Sequence, residues 1–326
     1  MIRAFRIFNE NNEVKGRLVS MEEKDLTPGN VVIRVRYSGV NYKDALAGSG
    51  RGRILKTFPL NAGIDAAGVI ESSGDPRFQP GQEVLVNGSG IGESTDGGYA
   101  EKLRVPGDIV VPKPNGLTLQ EAMLIGTAGF TAALAIHRME VNGQTPTKGP
   151  ILVTGATGGV GSFAVQILSQ SGYEVIAVSG KENSLAYLKE LGAKKVVMPD
   201  QLALGDRPLE AAKFGGVIDN VGGELLAKAL AHTNLWGNVA SIGLAASAEL
   251  HTTVMPFILR GVSILGASSN NCPQDMRKEI WNRLGDKWKP AQLQKVLAKT
   301  ITLDDLPQAF QDLLDRKVTG RMVVVL

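Results

Sequence analysis

The feature that most constrains this chain is a short apolar strand running straight into a glycine-rich turn. Ile151-Leu152-Val153 is followed by Thr154-Gly155-Ala156-Thr157-Gly158-Gly159-Val160-Gly161-Ser162. A buried strand, a tight turn and an amphipathic helix over 159–171 would aim the first N–H groups of that helix at an anion. Gly155 suits the sharp exit from the strand, Gly158 a close approach of backbone to a diphosphate, and Gly161 close packing of helix on sheet. The strict spacing would place glycine at 156, where this chain has Ala156. Thr157, Gly158, Gly159 and Val160 are the candidate phosphate-binding residues. The competing reading is a glycine turn that holds no ligand.

The surroundings of the turn favour a dinucleotide. Six buried-looking strands, at 151–155, 174–179, 195–198, 216–219, 238–242 and 263–267, alternate with helical stretches. That alternation predicts an α/β fold, a doubly wound parallel sheet of Rossmann type. Before residue 124 the pattern differs. Val31-Val32-Ile33-Arg34-Val35-Arg36-Tyr37 and Gln82-Glu83-Val84-Leu85-Val86 each follow a Pro-Gly turn, and the region reads as an irregular, mostly β domain. Residues 292–299 and 306–316 read as helices, and Met322-Val323-Val324-Val325-Leu326 as a strand returning to the first domain's sheet. The expected division is 1–123 with 267–326 against a dinucleotide domain over 124–266.

Composition removes several alternatives. With 326 residues the chain can bury two cores, and 43% apolar with 21% charged residues is ordinary for a globular protein. A formal charge of +3 is too small to argue for a nucleic-acid partner. Cys272 is the only cysteine, which excludes an internal disulfide and suits a reducing cytoplasm. The first residues lack the apolar run of a signal peptide, and no eighteen consecutive apolar residues mark a membrane span.

The second strand distinguishes the two nicotinamide dinucleotides. An NAD site ends this strand with an acidic residue for the ribose hydroxyls. Here Ser179-Gly180-Lys181 follows instead, with no carboxylate to repel a 2′-phosphate and a hydroxyl and an ammonium to bind one. NADPH is therefore the expected cofactor, and Lys195, opening the next strand, is a further candidate cation.

Gly39-Val40-Asn41-Tyr42-Lys43-Asp44-Ala45-Leu46 and Gly63-Ile64-Asp65-Ala66-Ala67-Gly68-Val69-Ile70, with the glycine turn and domain layout, resemble the medium-chain dehydrogenase/reductase superfamily over essentially the whole chain. Zinc alcohol dehydrogenases of that superfamily carry Cys where Asn41 stands and His-Glu where Ile64-Asp65 stands. With three histidines and one cysteine, the chain offers no plausible tetrahedral zinc site. The runs 40–46, 125–132 and 253–260 look like the zinc-free quinone oxidoreductase branch, in particular its YhdH/YhfP-type members, which include acrylyl-CoA reductases. The resemblance implies a GroES-like substrate domain beside the Rossmann domain. It also implies NADPH-dependent reduction of an activated C=C bond, as in a short enoyl-CoA, or of a quinone.

In such a reaction negative charge develops on the acceptor's carbonyl oxygen, and a nearby donor lowers the barrier. Tyr42 and Asn41 are the candidate donors, Tyr42 orienting either the nicotinamide of the cofactor or the acceptor's oxygen, with Asp44 beside them as support or helix cap and Asp65 in a structural role. Thr127 and Thr131, on a helix entering the Rossmann domain, together with Asn220, Leu244, Ile258 and Ser268, are candidate cofactor contacts. Arg51 and Arg53, with Lys56, would meet the phosphates of a CoA thioester. Arg321 is open between a cofactor phosphate contact and a structural ion pair. The apolar run 255–259 and the strand 263–267 suggest, by analogy, a homodimer. An NADPH-binding redox sensor is the alternative outside catalysis.

Overall fold

The computed structural model describes residues 1–326. The N-terminal stretch is strand-rich: β1 (Ile2–Glu10), β2 (Glu13–Met21), β3 (Val31–Val40), helix α1 (Tyr42–Gly48), β4 (Leu60–Asn61), β5 (Asp65–Ser73), β6 (Glu83–Asn87), β7 (Lys102–Val105) and β8 (Val111–Pro112). A long helix α2 (Leu119–Val141) leads into alternating elements: β9 (Ile151–Val153), α3 (Gly159–Gln170), β10 (Val175–Val178), α4 (Leu185–Glu190), β11 (Lys195–Val197), β12 (Phe214–Asp219), α5 (Gly223–Ala231), β13 (Thr233–Ser241), α6 (Met255–Arg260) and β14 (Ser263–Gly266). The chain closes with α7 (Gln274–Leu284), β15 (Leu297–Ile301), α8 (Leu306–Leu314) and β16 (Arg321–Val325).

Two compact units result. The first contains Met1–Thr127, Ser269–Asp286 and Val296–Leu326; the second contains Ala128–Ser268 and Lys287–Lys295. In the first, β-branched β3 pairs antiparallel with β5 along one edge and with β7 and then β16 along the other, and the sheet runs in the order β15-β16-β3-β5-β6-β8. Val31, Ile33, Val35, Ile70, Val84 and Leu103 fill one core there. A second core gathers Phe5, Tyr99 and Phe310, with the Phe5 and Phe310 rings edge to face at 5.7 Å.

The second unit holds a six-stranded, all-parallel sheet in the order β11-β10-β9-β12-β13-β14. Strand order reverses between β9 and β12, the arrangement in which open α/β sheets take ligands beyond their carboxyl ends. Leu152, Val217, Val239, Leu226 and Leu230 form its core. The segment Lys287–Lys295 joins this unit through the Gln292 N–H, which donates to Gln166 Oε1 at 3.0 Å.

The helix expected over 292–299 is not formed. Leu293–Val296 makes a single 3₁₀ turn, and Leu297–Ile301 is a strand parallel to β16. Leu, Gln, Lys and Ala favour a helix weakly, but ladder hydrogen bonds at the sheet edge outweigh local propensity. One helix, α2, is long and apolar enough to cross a membrane; its most apolar window is 83% buried inside the chain, as in a core helix.

Candidate functional site

Asn41 lies where β3 ends and α1 begins, and it is the N-cap of that helix. Asp44, three residues on, turns back so that its Oδ2 accepts the Asn41 N–H at 2.9 Å, half of a capping box. Its Oδ1 accepts the Ile64 N–H at 3.0 Å, tying the helix to the start of β5. Both hydrogens of the Asn41 amide are committed: Nδ2 donates to Asp44 Oδ2 at 3.1 Å and to Asp65 Oδ2 at 2.8 Å. Its Oδ1 accepts from Arg321 Nη1 at 2.7 Å. Two carboxylates on one side and a guanidinium on the other set the amide's orientation.

Asp65 is fully buried and gathers further donors. Thr127 gives it both its backbone N–H, at 3.0 Å, and its hydroxyl, at 2.7 Å. This contact is made where α2 breaks at Gly126, whose φ of 48° and ψ of −156° lie outside the helical range. A side chain at 126 would also collide with its neighbours, since its Cβ would lie 2.6 Å from Arg321 Nη2 and 2.7 Å from Asp65 Oδ2. Arg321 is buried, pairs with Asp65 at 3.6 Å and donates to the Val40 and Leu124 carbonyls at 2.7 and 3.2 Å. Burial pushes its guanidinium pKa down, against the pull of Asp65. Of the two roles open for Arg321, these contacts are those of an internal ion pair.

The carboxyl of Asp44 is pushed up to about 7, first by burial and then by the neighbouring Asp65 charge, against the N–H groups of Asn41 and Ile64. Tyr99, whose hydroxyl donates to the Gly39 carbonyl at 3.1 Å, is pushed well above the phenol range, chiefly by burial. Tyr42, the first residue of α1, is by contrast 51% exposed. Arg51, Arg53 and Lys56 are exposed on the segment after α1, and the Lys56 N–H is anchored on the Glu93 carbonyl, 2.8 Å away. No group of three His, Cys, Asp or Glu side chains is arranged to hold a metal ion.

In the second unit, α3 begins at Gly159 with exposed Gly158 as N-cap, and no side chain caps it. Thr157 is buried, while Gly159 and Val160 are half-buried. A Cβ at Gly161 would lie 2.4 Å from the Gly155 carbonyl and 2.6 Å from Ala156 Cα, so only glycine allows α3 this close to the turn. Uncapped amides at the carboxyl end of a parallel sheet suit a diphosphate. Asn220, just past β12, donates to the Thr154 carbonyl at 2.8 Å and leaves its buried Oδ1 without a hydrogen-bond partner, an acceptor that fits a ligand hydroxyl or amide. The residues present therefore fit a dinucleotide.

At the end of β10, Ser179 Oγ accepts the Lys181 N–H at 3.1 Å, and half-buried Lys181 has its ammonium pKa lowered by burial. Lys195 is not brought to that end. It pairs with Ile176 at the opening of β11, two residues before β10 ends at Val178, and is exposed. Thr131 is buried in α2, whereas Leu244 and Ile258 are 66% and 72% exposed and Ser268 is exposed on the segment after β14. Sequence reasoning did not foresee Tyr99 or Tyr187, since each meets its partner only through tertiary packing. Tyr187 donates to Ser162 Oγ at 2.8 Å, across 25 residues of chain.

Comparison with known proteins identifies the family. Residues 27–115 match the profile of the alcohol dehydrogenase GroES-like domain, and residues 159–285 that of the zinc-binding dehydrogenases. The chain is 44% identical to the putative quinone oxidoreductase YhfP of Bacillus subtilis over 100% of this chain and 99% of that protein. It is also 44% identical to the probable acrylyl-CoA reductase AcuI of Escherichia coli over 99% of both. The YhdH oxidoreductase of Salmonella enterica, solved in complex with NADP, superposes with a TM-score of 0.96 at 44% identity over 99% of both chains. YhfP was solved with NAD bound and superposes at 0.97, covering 100% of this chain and 99% of that one. The chain belongs to the medium-chain dehydrogenase/reductase superfamily, among its YhfP- and AcuI-like oxidoreductases.

Proposed function

We propose that this chain is a zinc-independent, NADPH-dependent reductase of activated C=C bonds, with a short enoyl-CoA such as acrylyl-CoA as its acceptor. The observation that carries the cofactor choice is the end of β10, where Ser179-Gly180-Lys181 stands in place of a carboxylate. The acceptor class is supported by the full-length likeness to AcuI and by the cationic segment of Arg51, Arg53 and Lys56, suited to CoA phosphates. A lone, buried cysteine suits a cytoplasmic setting.

The glycine turn and α3 would hold the diphosphate, Ser179 and Lys181 the 2′-phosphate, and Asn220 Oδ1 a ribose hydroxyl or the carboxamide. When bound, the nicotinamide supplies a hydride for the β-carbon of the acceptor. The α-carbon takes its proton from water. Tyr42 donates its hydroxyl to the thioester oxygen as negative charge grows there. The amide of Asn41 has no hydrogen left to give. Its role is to hold the β3–α1 junction, and so Tyr42, against Asp44, Asp65 and Arg321. Neither Asn41 nor the Ile64 side chain offers the soft donor that a zinc ion would need.

NADPH oxidation with acrylyl-CoA, crotonyl-CoA and a series of benzoquinones tests the proposal. The thioesters should be far better acceptors, and Tyr42→Phe should lower their kcat/KM by roughly 10²-fold. Preference for quinones would make the chain a quinone reductase. Absence of turnover with every acceptor would leave an NADPH-binding sensor.

A further inference from the structure

The dinucleotide side of the second unit is assembled from two loops, the glycine turn after β9 and the Ser179–Lys181 segment after β10. A ring of hydrogen bonds joins them. Ser179 Oγ holds the Lys181 N–H at 3.1 Å. The Lys181 carbonyl accepts the Ser184 N–H at 3.1 Å and the Ser184 hydroxyl at 2.5 Å. Ser184 leads directly into α4, and Tyr187 in the first turn of that helix donates its hydroxyl to Ser162 Oγ at 2.8 Å. Ser162, fully buried in the first turn of α3, donates to the Ala156 carbonyl at 3.3 Å. The Ala156 N–H closes the ring on the Val178 carbonyl, 3.0 Å away and next to Ser179.

Within this ring the Tyr187–Ser162 bond is the one contact made side chain to side chain, and it spans from α4 to α3. The Tyr187 ring would fill the same space without its hydroxyl. A tyrosine here therefore does something that phenylalanine would not: it sets the distance between α4, which carries the lysine loop, and the turn that receives the diphosphate.

We propose that Tyr187 is a specificity-determining positioning residue, which holds Ser179 and Lys181 at the spacing that a 2′-phosphorylated dinucleotide requires. The role rests on the NADPH assignment. Tyr187 acts through Ser162 and Ser184 and needs no contact of its own with the cofactor. Binding of a dinucleotide that lacks the 2′-phosphate uses the glycine turn but not the lysine loop, so it is indifferent to the Tyr187 hydroxyl. A merely structural hydrogen bond would affect both cofactors alike.

Titration of NADPH and NADH by nicotinamide fluorescence into wild type, Tyr187→Phe and Ser162→Ala tests this. Each variant should raise the Kd for NADPH by roughly three- to tenfold, the worth of one buried hydrogen bond, and that for NADH by less than about twofold. Ser162→Ala removes the same bond from its other end, together with the longer Ser162 bond to the Ala156 carbonyl, and keeps the test open through the NADPH-to-NADH ratio of Kd values should Tyr187→Phe fold poorly. Equal losses for both cofactors, or an unchanged ratio in variants of a wild type that prefers NADPH, would overturn the positioning role alone. A wild type that binds both cofactors alike would overturn the NADPH assignment and the specificity role with it.

Discussion

Asp44 is nearly inaccessible, at 1% exposure, and its carboxyl faces Asn41, Ile64 and the charge of Asp65. Its folded-state pKa of about 7 lies above the ordinary aspartate value of 3.8. Between these values the native state keeps a proton that the unfolded chain has lost. Its contribution to stability is therefore full below about pH 4 and is lost as pH rises toward 7, with a slope of up to about 1.4 kcal/mol per pH unit. Asp44→Asn removes this titration. Thermal melts across that range should show the wild-type Tm falling relative to the variant's as pH rises. Parallel curves would show that Asp44 is ionised throughout. The same packing is why the proposal gives the donor role to Tyr42: both hydrogens of the Asn41 amide are spent on Asp44 and Asp65, whereas Tyr42 is exposed beside them.

Among the elements, β14 is an edge strand with Ile264 40% exposed, and the adjacent α6 exposes Ile258 and Leu259 at 72% and 56%. An open edge flanked by large apolar side chains is a surface for strand pairing. A second copy related by a two-fold axis would satisfy both features, in line with the homodimer suggested above. Sedimentation should then show a dimer for wild type and a monomer for Ile264→Lys; a monomeric wild type would contradict it. The elements most legible in the sequence were those with a strong local signature, such as β9, α3 and the Ser179–Lys181 segment, where apolar runs and glycines act within a dozen residues. β15 was not, because its strand state depends on β16, some twenty residues later. The site divided in the same way. Asn41, Tyr42 and Asp44 sit within one turn of chain, whereas Arg321 meets Asn41 from 280 residues away, and no periodicity announces such a contact.

At the scale of the whole molecule, family membership accounts for the two kinds of unit. A net charge of +3 over 326 residues supplies little general attraction for a phosphorylated ligand, so in the proposed reading selection falls to a few placed groups. In the proposed reading Ser179 and Lys181 receive a 2′-phosphate while α3 receives the diphosphate. Calorimetric titration with NADPH and NADH, on wild type and Lys181→Ala, tests it most directly. Wild type should bind NADPH at least about tenfold more tightly than NADH, and Lys181→Ala should erase most of that difference, as expected for a charge-assisted hydrogen bond. Equal affinity for the two cofactors, or no binding of either, would contradict the account.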